Sequence, residues 1–262
     1  MVLYTYIKKM KKILIISLFA FCMAFTASAD NSDPTNIKDC SEGFNRASFK
    51  FNQGLDKAIL RPVAIGYRKL PSGIRTITSN FLNNLSNLVT IPNNALQGDL
   101  NKAGTNLARL GINSTVGILG LFDVAKGMGF EKYEKEDYGQ TFGVMGSGPG
   151  CYLVLPILGS STARDALGTV VGMFGGDPWY NVTVKNNTHY FKDSDYYISK
   201  GTSGVDFRAK NLEAIDNLEE NSMDFYASVK SLYLQDRQQK ILNSKQTTET
   251  QDDSDWDEVS SD

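Results

Sequence analysis

The sequence predicts a mostly helical domain behind an export signal, and three observations lead to that class. Apolar residues recur at three- and four-residue spacing through much of 44–110 and again through 205–233, as amphipathic helices require. Extended character is confined to the short run 152–156, which follows a glycine-rich turn. Beyond the leader no apolar run approaches the roughly 20 residues that cross a bilayer as a helix.

The leader comes first. Lys8, Lys9, Lys11 and Lys12 precede the apolar run 13–25, and Ala27-Ser28-Ala29 before Asp30 fits ordinary cleavage, so residues 1–29 read as a signal peptide. The competing exit is lipidation at Cys22, although a lipidated cysteine normally follows a small residue and Phe21 stands there. Residues 30–242 read as a single domain. Its first helix carries Phe44, Ala47, Phe51, Leu55 and Ala58 on one face, opens with Asp39 and Glu42 as a capping box, and ends or bends at Pro62. A second stripe, Ile74, Ile77, Phe81, Leu85 and Leu88, stops before Pro92. A third, Leu100, Ala103, Leu107 and Leu110, follows Asp99 as N-cap. Core packing is the default account of these stripes; lipid contact is the alternative for apolar area that a core this size does not absorb.

The middle differs in kind: 17 of the 23 glycines lie between Gly98 and Gly176, a density that suits closely approaching backbones more than isolated soluble helices. Segment 111–125, broken by Asn113 and Asp123, reads as buried or interface-lying. The run 146–150 must be a loop. From 177 to 200 aromatics cluster, as at a membrane interface or in a lid packed on the body. Helical spacing returns after Gly204, with Ser222 as the cap between two helices. Residues 243–262, polar and acidic, are expected to be disordered.

Charge and chemistry narrow the function. Residues 30–245 hold 23 Lys/Arg against 22 Asp/Glu, a neutral body that argues against nucleic acid as partner. His189 is the single histidine, so no histidine metal cluster forms, and neither a nucleophile elbow nor a phosphate-cradling glycine loop occurs. Glu134, Glu136 and Asp137 read as a solvated acidic face. No catalytic residue, metal or cofactor is expected. Cys40 and Cys151 either form a disulfide, which an oxidising compartment permits, or remain two inert thiols.

Several blocks nevertheless form a pattern. Glu42-Gly43-Phe44-Asn45-Arg46, Arg61-Pro62-Val63-Ala64, Leu96-Gln97-Gly98-Asp99, Gly120-Leu121-Phe122-Asp123, Asp137-Tyr138-Gly139-Gln140-Thr141, Tyr152-Leu153-Val154-Leu155-Pro156, Arg164-Asp165 and Tyr233-Leu234-Gln235 resemble, in order, the MlaA (VacJ) family of outer-membrane phospholipid-transport proteins, over about residues 42–239. The resemblance implies a flat, ring-like helical bundle embedded in the outer membrane beside a trimeric porin, with a central amphipathic channel. Phospholipid would pass through it to a soluble periplasmic lipid carrier without ATP. It further implies that Gly146, Gly148 and Gly150 form a hinge loop gating the channel, and that Phe44 and Asn45 control lipid access. Family members are usually lipoproteins, which the context of Cys22 disfavours here, and Cys40 and Cys151 lie outside the family pattern. The alternative is a structural outer-membrane or periplasmic scaffold that moves no lipid.

Overall fold

The computed structural model describes residues 37–132, 134–185 and 191–259, with side chains to Ser244. The signal peptide, Cys22 and His189 lie outside the described residues.

Helix α1 (Glu42–Leu55) passes through a π-helical turn, Asp56–Leu60, into α2 (Arg61–Arg68). Pro62 therefore does not end the helix. The Arg61 N–H reaches back five residues to the Asp56 carbonyl, which puts Pro62 in the first turn of α2, where a missing N–H is tolerated. Asp39 does not cap α1 either: Ser41 holds the N-cap position, and the Asp39 carboxylate accepts instead from Tyr226 Oη and Lys230 Nζ.

Helix α3 (Ser72–Leu96) runs through Pro92, where the sequence predicts a stop. One side-chain bond within the helix and two tertiary bonds hold the last turns past the missing rung. Asn93 Nδ2 donates to Val89 O at 2.8 Å, Thr141 Oγ1 donates to Asn93 Oδ1 at 2.6 Å, and Asn106 Nδ2 donates to Asn94 Oδ1 at 2.9 Å. Helix α4 (Leu100–Thr115) begins on Asp99, whose carboxylate accepts from Lys102 N, and packs along α3. A knuckle and the single-turn α5 (Val124–Gly127) follow.

Helix α6 (Tyr138–Val144) leads into an antiparallel hairpin, β1 (Tyr152–Leu155) and β2 (Gly159–Thr162), and then α7 (Ala163–Val171). A side chain at Gly168 would strike the backbone of Gly139, so α6 and α7 cross as closely as they do because both contact positions lack a Cβ. Short turns and α8 (Pro178–Tyr180) connect to α9 (Asp193–Lys210), α10 (Leu212–Asn221) and α11 (Phe225–Val259). Ser222 closes α10, while Asp224 caps α11 through Ala227 N. The helical backbone of α11 continues to Val259, into the acidic segment for which composition predicts disorder.

The apolar core is small: Tyr152, Val154, Tyr226 and Leu234 cluster with Ile37, Phe49 and Tyr233. Two asparagines seven residues apart on α1 dock the hairpin onto it. Asn45 Nδ2 donates to Tyr152 O and its Oδ1 accepts from Val154 N, both at 2.9 Å. Asn52 repeats the arrangement with Leu155 O at 2.9 Å and Ile157 N at 2.6 Å. The two side-chain amides thus serve β1 as a neighbouring strand would. The Cys40–Cys151 disulfide, with Cα atoms 5.0 Å apart, ties the segment before α1 to the start of the same hairpin.

Polarity runs opposite to the default expectation of core packing. Among the described residues, 24 buried side chains are polar or charged and ten are apolar, while 26 large apolar side chains are exposed. In α1 the buried positions are Asn45 and Ser48, and Phe44 and Phe51 face outward. In α4 they are Ala103, Asn106, Arg109 and Asn113, with Leu100 and Leu107 outside. The apolar stripes exist as spaced, but many of them are not the core.

Candidate lipid-path cavity

Three adjoining cavities follow α3. The largest, about 540 Å³, is enclosed by α3, α6, α7, β2, α9 and α11. Helix α3 contributes Leu82, Leu85 and Val89 to its lining, joined by Met173 and Trp179, whereas α6, α7 and α11 contribute Asp137, Asp165, Tyr233 and Arg237. Ser86 and Lys135 also line a narrow second cavity. Asn80, Asn83 and Lys132 line both that one and a third, of about 270 Å³. The linings they share set the three in a row along α3 between Thr90 and Ser72, a span that a rise of 1.5 Å per residue makes roughly 27 Å, with the middle cavity, of about 30 Å³, only the size of a water.

The pattern of α3 explains why this helix forms the wall. Thr76, Asn80, Asn83, Asn87 and Thr90 follow each other at alternating spacings of four and three, so they share one narrow face. Phe81, Leu85 and Leu88 occupy the opposite arc. Off the first cavity, through shared Leu82, Trp179 and Ser199, lies an apolar annex of about 380 Å³ with Phe81, Phe191 and Ile198. Edge-on ring contacts, Trp179 with Phe191 at 5.2 Å and Tyr180 with Tyr196 at 5.1 Å, pack the aromatic cluster of 177–200 on itself.

One ionic network closes the polar side. Arg237 donates to Asp137 at 2.6 and 2.9 Å and to Asp165 at 2.9 and 3.2 Å, and Tyr233 Oη donates to Asp165 Oδ2 at 2.6 Å. Burial by itself would raise the pKa of both acids, but the Arg237 guanidinium outweighs it, holding Asp137 at about 2 and Asp165 below the usual carboxylate range. Burial and the neighbouring Asp165 carboxylate push the Tyr233 phenol up. Each acid also caps or extends a helix start: Asp137 accepts from Gln140 N at 2.9 Å, and Asp165 N donates to the α7 cap Thr162. With Arg164 Nε also on Asp165 at 3.0 Å, the two acids are held ionised in fixed ion pairs, which suits a fixed wall and not proton transfer.

The structure corrects the reading of Glu136 and Asp137 as part of a solvated acidic face, while Glu134 is exposed. Glu136 is buried between Gln97 and Ser244, and burial raises its pKa, while Asp137 belongs to the network. Sequence reasoning missed the network because Asp137, Asp165 and Arg237 stand 28 and 72 positions apart. Asp137 and Asp165 stand in two of the family-like blocks and Arg237 lies two residues beyond a third, which was the available signal. It also missed the polar face of α3, since attention to apolar spacing passes over an asparagine stripe.

Neither Gly146, Gly148 and Gly150 nor Phe44 and Asn45 line the cavities. The glycines join α6 to β1, with Gly146 at φ 94° and Gly150 at φ 70°, in the region that side-chain-bearing residues rarely adopt. Phe44 is 55% exposed on α1. Asn45 departs from the lipid-access expectation, because it is fully buried and its amide is engaged by β1. Among the described residues no group of three or more His, Cys, Asp or Glu side chains is placed to hold a metal.

Comparison with known proteins adds the following. A family profile described as MlaA lipoprotein matches residues 37–240. A protein of Rickettsia bellii is 33% identical over 247 residues, covering 88% of this chain and 93% of its own. The intermembrane phospholipid transport system lipoprotein MlaA of Escherichia coli is 33% identical over 215 residues, covering 79% and 80%. A solved structure described as "Structural basis for maintenance of bacterial outer membrane lipid asymmetry" superposes with a TM-score of 0.65 at 32% identity, covering 78% of this chain and 99% of that one.

Proposed function

The chain belongs to the MlaA lipoprotein family, and from that premise we propose that it conducts phospholipids passively from the outer membrane to a soluble periplasmic lipid carrier. The observation that carries this reading is the inverted distribution of polarity around a lined path. Exposed apolar side chains form a surface suited to acyl chains, and the buried polar ones leave an interior suited to headgroups. Among the described residues no helix is long and apolar enough to cross a membrane. The proposed embedding is therefore that of a flat ring held by its rim, beside a trimeric porin, and not that of a spanning helix.

Two apolar tips support this placement. Val116, Ile118, Leu119 and Phe122 are exposed on the knuckle after α4, and Ile157 and Leu158 on the turn of the hairpin. Ile118, Leu119 and Ile157 hold φ between 52° and 69°. That conformation costs roughly 1–2 kcal/mol per residue for L side chains, and contact with acyl chains would offset it.

In this proposal a headgroup travels along the polar face of α3 while its acyl chains occupy the annex beside Phe81 and Trp179. The loop 146–150 opens and closes the path, Phe44 stands at the membrane-facing rim, and no covalent chemistry or ATP is needed. Detergent extraction of the protein from the outer-membrane fraction, followed by lipid phosphorus analysis, tests the reading. Co-extracted phospholipid near one molecule per chain is expected. Lipid-free protein that stays in water without detergent would instead favour the scaffold.

A further inference from the structure

Two neighbouring spaces of opposite character share a wall. The cavity of about 540 Å³ carries Asp137, Asp165 and Arg237, whereas the annex of about 380 Å³ presents Phe81, Phe191 and Ile198. Three residues belong to both linings: Leu82, Trp179 and Ser199. An amphipathic molecule that keeps its headgroup in the first space and places a chain in the second must pass between them, so one of the three has to yield.

Backbone setting separates them. Leu82 is buried within the 25-residue α3 and Ser199 lies inside the 18-residue α9, so moving either means moving a long helix. Trp179 sits on the three-residue α8, between π-helical turns at Gly172–Gly176 and Asn181–Lys185. Its main chain is anchored, since Trp179 N donates to Asp177 Oδ1 at 2.9 Å and Thr183 Oγ1 donates to Trp179 O at 2.7 Å. Its ring is held less firmly. A helical side chain lies over the residues three and four positions before it, and here those are Gly176 and Gly175, which set no side chain against the indole. The ring makes an edge contact with Phe191 at 5.2 Å, and Nε1 donates to Ser199 Oγ at 3.1 Å. The Ser199 hydroxyl is oriented to accept, because it donates to Tyr196 O at 2.8 Å.

We propose that the Trp179 indole is a swinging partition between the two spaces. Bonded to Ser199 it keeps them apart; rotated off that hydroxyl it joins them, so that an acyl chain enters the annex while the headgroup stays on the polar side. The proposal rests on the conduit reading and deepens it by assigning the residue at which chain and headgroup part. One neutral hydrogen bond biases such an equilibrium by roughly two- to tenfold, enough to favour the closed wall at rest and little enough for an entering chain to displace it.

Vesicle-to-vesicle transfer of phosphatidylglycerol by the full chain tests it, with Ser199→Ala and Trp179→Phe each removing the bond while keeping most of the wall. Both should speed transfer about two- to tenfold, and the double variant should gain no more than either alone, as one shared bond requires; circular dichroism should show folded protein throughout. Unchanged or slowed transfer, or gains that multiply, would overturn the partition. A second measurement uses Trp256→Phe, which leaves Trp179 as the single tryptophan. Phosphatidylglycerol with brominated acyl chains, titrated into the detergent-solubilised protein, should quench its fluorescence by about half and saturate near one lipid per chain. Quenching that is absent, or that climbs with added lipid without saturating, would overturn the proposal too, because the indole then meets no chain or meets chains only from outside. Each of these failures leaves the conduit standing if the wild type moves lipid; wild-type protein that transfers none overturns the conduit itself.

Discussion

Arg237 is the residue on which the cavity wall turns, because one guanidinium bridges two carboxylates delivered by different helices, Asp165 being shared with Arg164. Removing one partner of such a buried group leaves uncompensated charge and costs about 3–5 kcal/mol. Arg237→Met should therefore lower the urea midpoint far more than a surface arginine such as Arg61, whose pair with Asp216 is half exposed. The pH dependence follows in sign. Asp137 and Asp165 have depressed pKa values in the folded protein, so their contribution is complete above the unfolded value of about 3.9. It is lost as pH falls through about 2, the folded value of Asp137. Thermal melts of the wild type should weaken between those limits, and Arg237→Met should show a shallower loss; parallel profiles would remove the network as the source. At this scale the sequence was legible one residue at a time. Asp99 was readable as a cap, whereas Asn45 was not readable as a strand surrogate, since the strand it serves lies 107 positions away.

At the scale of elements the hairpin is the junction between the start of the domain and its middle. The Cys40–Cys151 bridge closes a separation of 111 residues onto β1, and restraining a loop of that length contributes about 4–5 kcal/mol in the chain-entropy treatment. Cys151→Ser, or reduction of the wild type, should lower the denaturation midpoint accordingly, with both treatments giving the same shift. The loop 146–150 enters this hairpin directly. Gly148→Pro should block vesicle-to-vesicle lipid transfer while leaving the helical circular dichroism signal intact, and unchanged transfer would discard the hinge. Helix positions were legible from spacing, but two proline-based boundaries were not. Local chemistry argues for a stop or bend at Pro62 and a stop at Pro92; the chain continues as helix through a π-turn at the first, and the bonds of Asn93 and Asn94 to α6 and α4 override the second.

The whole molecule shows the consequence of turning amphipathic helices outward. The tips at Ile118, Leu119 and Ile157 combine positive φ with exposed apolar side chains. A charge placed among acyl chains costs up to about 2.5–3.5 kcal/mol at full depth and less nearer the headgroups. Ile118→Asp combined with Ile157→Asp should reduce co-sedimentation with phospholipid vesicles at least tenfold without lowering the melting temperature. Equal sedimentation would show that these tips are not the membrane contact. Trimeric porin and soluble carrier belong to the same scale, as partners the proposed ring would meet at its rim and at its periplasmic face.

By itself the sequence determined the helical class, the spacing of each apolar stripe and the family, because periodicity and ordered motifs are local properties of the chain. The tertiary structure decided which way the stripes face. A helical period states that Phe44 and Phe51, or Leu100 and Leu107, share a side; it carries no information on whether that side meets protein, water or lipid. The same holds for the charges. That Arg237 is matched by Asp137 and Asp165 depends on segments far apart in sequence being brought to one wall, and pairing across such separations is settled only when the chain has packed.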